Sequence, residues 1–405
     1  MEVIPLKQSK KVLLALITLT LISSLYCQED TGTSPTPLLY STPTDRETSG
    51  TTDGTIADPR KTAGEQAGDG PIIEPGSTAT SATSNMNPYA TSISTLVSRA
   101  PDAENAFFTD TGRLFVTDGT SISEITNRET VNRLFTDNRG IFGGIAQSGK
   151  WLYVLHATVK NPLPAMDLNS CIKSGSMVKI LLLLTDLLMD KELLRADITV
   201  PGNPVFTSIY KLKDVVLPNG MAADAEGNLY VANQTFLPQG AIVKLTITGN
   251  AQPAVTQETW ISYKNGCLSP NGIVIRDTTL YFTDFSIWSS KPAKVKKVAI
   301  TNGRPGPVET VYSAASFFDD LDVAMYRNEP QIAVADYLMN SIILINANDG
   351  TKTRLGSGTV ANPSSVHFGV APRFRANELF ITEKGILYEM YSSYGNKLSC
   401  MTISE

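Results

Sequence analysis

The sequence predicts an all-β fold, a six-bladed β-propeller preceded by a signal peptide and a disordered tether. Three observations carry this reading. A short strand motif recurs six times between residues 113 and 383. Each copy follows a turn containing Gly, Asn or Asp, and an earlier apolar strand precedes that turn. Residues 28–90, by contrast, show no apolar periodicity.

The N-terminus reads as an export signal over 1–27. Lys7, Lys10 and Lys11 precede an apolar run over 12–25 that ends at Tyr26-Cys27. A run of this length suits a signal-peptide core and is short for a membrane span. Cys27 leaves two readings open. A lipoprotein signal also ends on a cysteine, which would attach the chain to a membrane through a lipid, although Tyr26 stands where a small residue is preferred. Plain cleavage near Cys27 is the other reading. Both export the protein, to a secreted or cell-surface/periplasmic location. Residues 28–90 are rich in Ser, Thr, Pro and Gly, as in TGTSPTPLLYSTPTD and GSTATSATSN. Such a segment cannot bury enough surface to offset its chain entropy, and it reads as a tether.

The domain proper is expected over 91–405. The six copies are RLFVTD (113–118), WLYVLH (151–156), NLYVAN (228–233), TLYFTD (279–284), QIAVAD (331–336) and ELFITE (378–383). Their spacings of 38, 77, 51, 52 and 47 residues hold about four strands each, the content of a propeller blade. The spacing of 77 implies an insertion around 157–215, in which SMVKILLLLTDLLMDKELL (176–194) reads as a strand followed by a short helix. Closure is expected from pairing of the two chain ends, with the segment through ILYEMY (386–391) beside residues 91–97 or within the first blade.

Several function classes are excluded at this stage. The formal net charge is −5 and basic residues form no run longer than a pair, so nucleic acid is not a partner. The chain has two histidines, His156 and His367, and no Cys-x-x-Cys spacing, which rules out a zinc site of nitrogen and sulfur ligands. Any metal would be held by oxygen. Cys171, Cys267 and Cys400 allow one disulfide, with no pair singled out. A monomer is expected.

Propeller geometry places the start of each blade's first strand and the end of its second on one face of the disc. Four of the six pre-strand positions offer a carboxylate or amide oxygen: Glu104, Asn219, Asn271 and Asp320. Singly, Pro-Asn-Gly is ordinary turn chemistry and Asp319-Asp320 caps a turn. Equivalent places in different blades argue for more. Two carboxylates and two amide oxygens around one axis suit a hard divalent cation, Ca²⁺ above all. His156, Asn233 and Asp284, at the ends of second strands, are expected to line the same pocket.

AENAFFTDTGRLFVTD, PNGMAADAEGNLYVAN, SPNGIVIRDTTLYFTD and DDLDVA resemble the senescence-marker-protein/gluconolactonase/luciferin-regenerating-enzyme family of six-bladed propellers, over about 95–399, and more distantly the paraoxonases. The resemblance implies a divalent cation on Glu104, Asn219, Asn271 and Asp320 that polarises the carbonyl of a small-molecule lactone or ester. It implies Asp320 as general base, with Asp319 or His156 able to substitute, and Asn105, Asn233, Phe236 and Asp284 as substrate contacts. The expected function is therefore an exported metal-dependent lactonase or esterase. Two other classes compete: a non-catalytic, surface-tethered propeller that binds a ligand or protein partner, and a strictosidine-synthase-like enzyme. The acidic cluster favours the hydrolase.

Overall fold

The computed structural model describes residues 91–405 except 127–129, 139, 161–187, 201–203, 236, 287–290, 387–391 and 405. The leader, the tether, Phe236, Cys171 and ILYEMY beyond Ile386 lie outside the described residues. No described helix is long and apolar enough to cross a membrane.

Strand β1 (Thr91–Val97) opens the described chain. Blade 1 is β2 (Asn105–Phe108), β3 (Leu114–Thr117), β4 (Ser121–Ile125) and β5 (Val131–Thr136). Blade 2 is β6 (Gly140–Ser148), β7 (Trp151–Val159), β8 (Met189–Asp197) and β9 (Thr207–Lys211). Blade 3 is β10 (Leu217–Ala223), β11 (Leu229–Gln234), β12 (Ala241–Thr248) and β13 (Ala254–Ser262). Blade 4 is β14 (Pro270–Arg276), β15 (Thr279–Asp284), β16 (Ala293–Thr301) and β17 (Arg304–Ala314). Blade 5 is β18 (Phe318–Tyr326), β19 (Glu329–Asp336), β20 (Ser341–Asn346) and β21 (Lys352–Leu355). Blade 6 is β22 (Pro363–Phe368), β23 (Glu378–Glu383) and β24 (Lys397–Ile403), completed by β1. The first strands of successive blades touch around the ring, and β2 meets β22.

Each of the six recurring motifs forms the second strand of a blade. They read as continuous apolar runs because both faces are covered by neighbouring blades. Leu114, Leu152, Leu229, Leu280, Ile332 and Leu379 are all fully buried, as are Phe115, Tyr230, Phe282 and Phe380. Each such side chain contributes about 1.5–3 kcal/mol by leaving water.

The ring closes by antiparallel pairing of β1 with β24, in register from Thr91↔Ile403. The closing strand is thus Lys397–Ile403. Side chains bolt the seam between blades 6 and 1: Ser364 Oγ donates to the Ala103 carbonyl at 2.7 Å, and the Ala106 N–H donates to Ser365 Oγ at 3.0 Å. Pairing with β1 covers the edge of β24 that would otherwise be exposed.

Two expectations about blade 2 are corrected. The stretch containing Met189–Asp197 is strand β8, where a short helix was expected. The extra length lies between β7 and β8, at 160–188, because β8 and β9 are ordinary outer strands of the blade. Lys191 and Arg195 obscured the strand pattern. Both are buried: Lys191 reaches the Val215 carbonyl, and the Arg195 guanidinium lies 3.8 Å from the centre of the Trp151 ring.

In blades 2 to 6 the pre-strand turns are in fact bulges within the first strands. Pro218 pairs with Asn233 and Met221 with Val231, so Asn219-Gly220 stand opposite one residue. Gly143-Gly144, Asn271-Gly272 and Asp319-Asp320 do the same, and Ser364 is the extra residue of blade 6. A bulge re-aims its side chains out of strict alternation. It also brings the next blade very close. A Cβ on Gly220 would sit 2.4 Å from the Asn271 carbonyl oxygen and 2.7 Å from the Ile273 nitrogen. That is why Gly follows Asn here. Gly220→Ala is expected to lower stability by about 1–3 kcal/mol in urea unfolding. Gly306→Ala, where a Cβ meets nothing nearer than 3.5 Å, should stay within about 0.5 kcal/mol of wild type. Equal effects at the two positions would contradict this packing account.

Candidate functional site at one end of the channel

The starts of the first strands in blades 1, 4 and 6 are held by a repeated side-chain device. The Asn105 N–H donates to Thr117 Oγ1 at 3.1 Å, the Gly272 N–H to Thr283 Oγ1 at 2.9 Å, and the Ser365 N–H to Thr382 Oγ1 at 2.8 Å. Each hydroxyl donates onward to a carbonyl of the next blade: Thr117 to Gly143 at 3.3 Å, Thr382 to Glu104 at 3.2 Å, and Thr283 to Asp319. The backbone at Glu104, Asn271 and Asp319 is thereby fixed between neighbouring blades.

On this frame a charged cluster forms from blades 1, 4, 5 and 6. Lys384, one residue past the end of β23, bonds Glu104 Oε2 through its ammonium and lies 3.1 Å from Asp102 Oδ1. Asn271 Nδ2 donates to Asp319 Oδ1 at 2.6 Å. Asp320 Oδ1 accepts the Leu321 N–H at 2.8 Å, and its Oδ2 lies 3.6 Å from His367 Nε2. The other imidazole nitrogen lies 3.7 Å from Asp322 Oδ2. At these distances the His367 contacts are ionic rather than hydrogen-bonded. Asp102, Asn271, Asp319, Asp320, Asp322 and Lys384 are all buried.

Burial decides the protonation of these groups together with their neighbours. It would by itself favour a neutral Lys384 amine, but Asp102 and Glu104 hold the ammonium charged. It pushes the Asp319 carboxyl well above the usual range, and nearby Glu104 adds to the rise. The Tyr337 phenol is raised by burial and by Asp319, so it stays neutral. Burial opposes a charged His367, yet Asp320 and Asp322 lift its pKa to about 9. Asp322 is lowered despite its burial, through His367 and Arg276.

Of the four expected cation ligands, Glu104, Asn271 and Asp320 sit in or against this cluster. Asn219, half-buried, donates its amide to Gln234 Oε1 at 2.9 Å. The donor types suit a hard cation, and the buried Asn271 Oδ1 has no hydrogen-bond partner. The arrangement nevertheless does not fit a divalent ion on those four residues. An ammonium already sits on Glu104, and a histidine stands against Asp320. Among the described residues no three His, Cys, Asp or Glu side chains are grouped to hold a metal.

The other expected site residues are placed differently. Asn233 Oδ1 accepts the Val216 N–H at 2.8 Å, and its amide donates to the Asp214 carbonyl. Asp284 accepts the Leu268 and Ser269 N–H groups at 3.0 and 2.7 Å and bonds Lys296. These side chains turn back to pin the loop that leads into their own blade. Asp336 and Glu383 do the same through Ser316 and Ala361. His156 stacks on Phe142 with ring centres 4.5 Å apart, and its Nε2 lies 3.8 Å from Asp137. Asn105 is buried in β2. Sequence reasoning missed Lys384, Tyr337 and the role of His367. A cavity of ≈390 Å³ lies elsewhere, between β8, β9 and Lys160.

The His367 pairs make a pH prediction. Because the folded pKa is raised from 6.5 to about 9, their stabilisation is full below pH 6.5 and is lost as pH rises through 9. Urea unfolding at pH 6 and pH 10 should show wild type losing up to about 3 kcal/mol more than His367→Gln. Parallel pH profiles would rule the pairing out.

No protein-family model and no curated protein matches the sequence. Solved structures do match. A gluconolactonase of Xanthomonas campestris aligns with a TM-score of 0.52 at 15% identity, covering 77% of this chain and 89% of that one. A luciferin-regenerating enzyme gives 0.52 at 12% identity, over 78% and 96%. The pyrroloquinoline-quinone-bound aldose sugar dehydrogenase of Streptomyces coelicolor gives 0.53 at 13% identity, over 79% and 100%. A lactonase and a dehydrogenase thus share this architecture, and architecture alone does not assign chemistry. The chain is a six-bladed β-propeller whose structural neighbours include gluconolactonase and luciferin-regenerating enzyme.

Proposed function

We propose that the protein is an exported hydrolase that opens a small lactone or cleaves a small ester at the channel end bearing Glu104, Asp319 and Lys384. The observation that carries this reading is the burial together of carboxylates, an ammonium and a neutral phenol contributed by separate blades. Buried, mutually perturbed ionisable groups of this kind cluster at reactive sites. Likeness in fold to gluconolactonase supports the choice of substrate class. The leader-like residues 1–27 support export.

In this reading the substrate carbonyl oxygen sits against the positive charge of the cluster, which stabilises the oxyanion as water attacks. Asp319 takes the proton from that water. Its raised pKa makes it a stronger base than an ordinary carboxylate. As the ester C–O bond breaks, the same proton passes to the departing alkoxide, leaving an alcohol and a carboxylic acid that releases its remaining proton to solvent, the two joined in one molecule when the substrate is a lactone. Asp320, the base implied by resemblance, is engaged by the Leu321 N–H and His367 and is assigned to positioning. Asn271 orients Asp319 through its amide.

The test is hydrolysis of a panel of aliphatic and sugar lactones and simple carboxylic esters, followed by pH-stat. Turnover by wild type is expected, with Asp319→Asn lowering kcat by about 10²–10⁴-fold while the fold is retained. An inert wild type, or full activity in Asp319→Asn, would overturn the assignment. An inert wild type that retains one of the ligands would mark a binding propeller instead.

A further inference from the structure

We infer that Lys384 supplies from the chain itself the cation that Glu104, Asn271 and Asp320 were expected to draw from solution. The ammonium bonds Glu104 and lies 3.1 Å from Asp102. Its side chain is only 10% exposed. The attachment is rigid: the Lys384 N–H donates to the Asn362 carbonyl at 3.2 Å, and the preceding Glu383 is locked by Ala361 and Ser399. Withdrawing the ammonium would leave Asp102 and Glu104 buried or nearly so without a counter-charge, which is costly.

A second observation shows that the frame around it is still shaped for a cation. Asn271 is 2% exposed, its Nδ2 is committed to Asp319, and its Oδ1 is left without a hydrogen-bond partner. A buried orphan acceptor is costly unless it faces positive charge. A divalent ion placed on Glu104 would face the ammonium as a like charge a few ångströms away, and the two exclude one another. Lys384 is therefore both the counter-ion of the site and a barrier to metal.

For hydrolysis this makes Lys384 the electrophile. That step rests on the reading proposed above, whereas the replacement of metal by ammonium does not. An ammonium is a hydrogen-bond donor, so it would hold the oxyanion by an N–H···O contact without transferring its proton.

The experiment compares wild type, Lys384→Met and Glu104→Gln in EDTA and with CaCl₂ or MnCl₂, using calorimetric titration and thermal unfolding. Wild type is expected to show the same unfolding midpoint with chelator and with metal. Lys384→Met is expected to unfold earlier in EDTA, to recover with Ca²⁺, and to bind Ca²⁺ at least about tenfold more tightly than wild type. Stoichiometric Ca²⁺ binding by wild type that Glu104→Gln abolishes would overturn the proposal. So would a Lys384→Met variant that binds Ca²⁺ no better than wild type. If that variant does not fold, the wild-type and Glu104→Gln titrations decide alone. Activity separates the two claims. Lactone or ester turnover by wild type only after adding metal sinks the role of Lys384 and leaves the hydrolase standing. Metal indifference with no turnover does the reverse.

Discussion

The site depends on one arrangement of backbone, the bulge near the start of the innermost strand in blades 2 to 6. An extra residue there turns Asn271, Asp319 and Asp320 out of the regular alternation of the strand. A bulge leaves amides without ladder partners, and threonines answer this. Thr283 and Thr382 accept the Gly272 and Ser365 N–H groups at their own blade's bulge, Thr117 accepts the Asn105 N–H at the start of β2, and each donates to the next blade's carbonyl. The same hydroxyl thus satisfies an orphan donor and sets the spacing between blades. Glycines at Gly144, Gly220 and Gly272 permit that spacing, since a Cβ at any of them would meet the following bulge. Blade 5 carries Asp320 where blades 3 and 4 carry Gly, and that carboxylate reaches His367 on blade 6.

This arrangement concentrates charge. Asp102, Glu104, Asp319 and Asp320 stand against two cationic side chains, Lys384 and His367. Burial, with Glu104 beside it, raises Asp319, and the carboxylates of Asp102 and Glu104 keep Lys384 protonated against its burial. A site of this kind can place a carboxylate of raised basicity close to a fixed positive charge, one to take the proton of an attacking water and the other to stabilise the oxyanion.

Much of the fold was legible because the second strands are covered on both faces. Their unbroken apolar runs, such as LYVAN and LFITE, survive as a visible repeat. Glu104 and Asn271 were legible because equivalent positions in a repeat share a place in space, and Asp320 lies one residue beyond that position, which in blade 5 is held by Asp319. The ends of the second strands misled for a physical reason. They reach the same face, but Asn233 and Asp284 spend their oxygens on backbone N–H groups of the loops before Pro218 and Pro270. Lys384 was missed because it lies one residue beyond the repeated motif and has no counterpart at the equivalent place in the other blades, Gly119, Ala157, Gln234, Phe285 and Tyr337. His367 sits at a strand position that reads as ordinary sheet, and only the twist of blade 5 against blade 6 brings Asp320 and Asp322 to either side of it. Strand β8 escaped notice because two of its buried positions are Lys191 and Arg195, whose stems pack while their heads find a carbonyl or a ring.

The central claim is that the amine of Lys384, from blade 6, holds Glu104 and Asp102 of blade 1 where a metal ion was expected. A crystal structure at about 1.5 Å from crystals grown with Mn²⁺, with anomalous maps at the manganese edge, tests it most directly. The account predicts continuous density from Lys384 to Glu104, the Asn271 amide on Asp319, and no anomalous peak at that end of the channel. An anomalous peak coordinated by Glu104, Asn219, Asn271 and an Asp of blade 5, with the Lys384 side chain swung away, would contradict it.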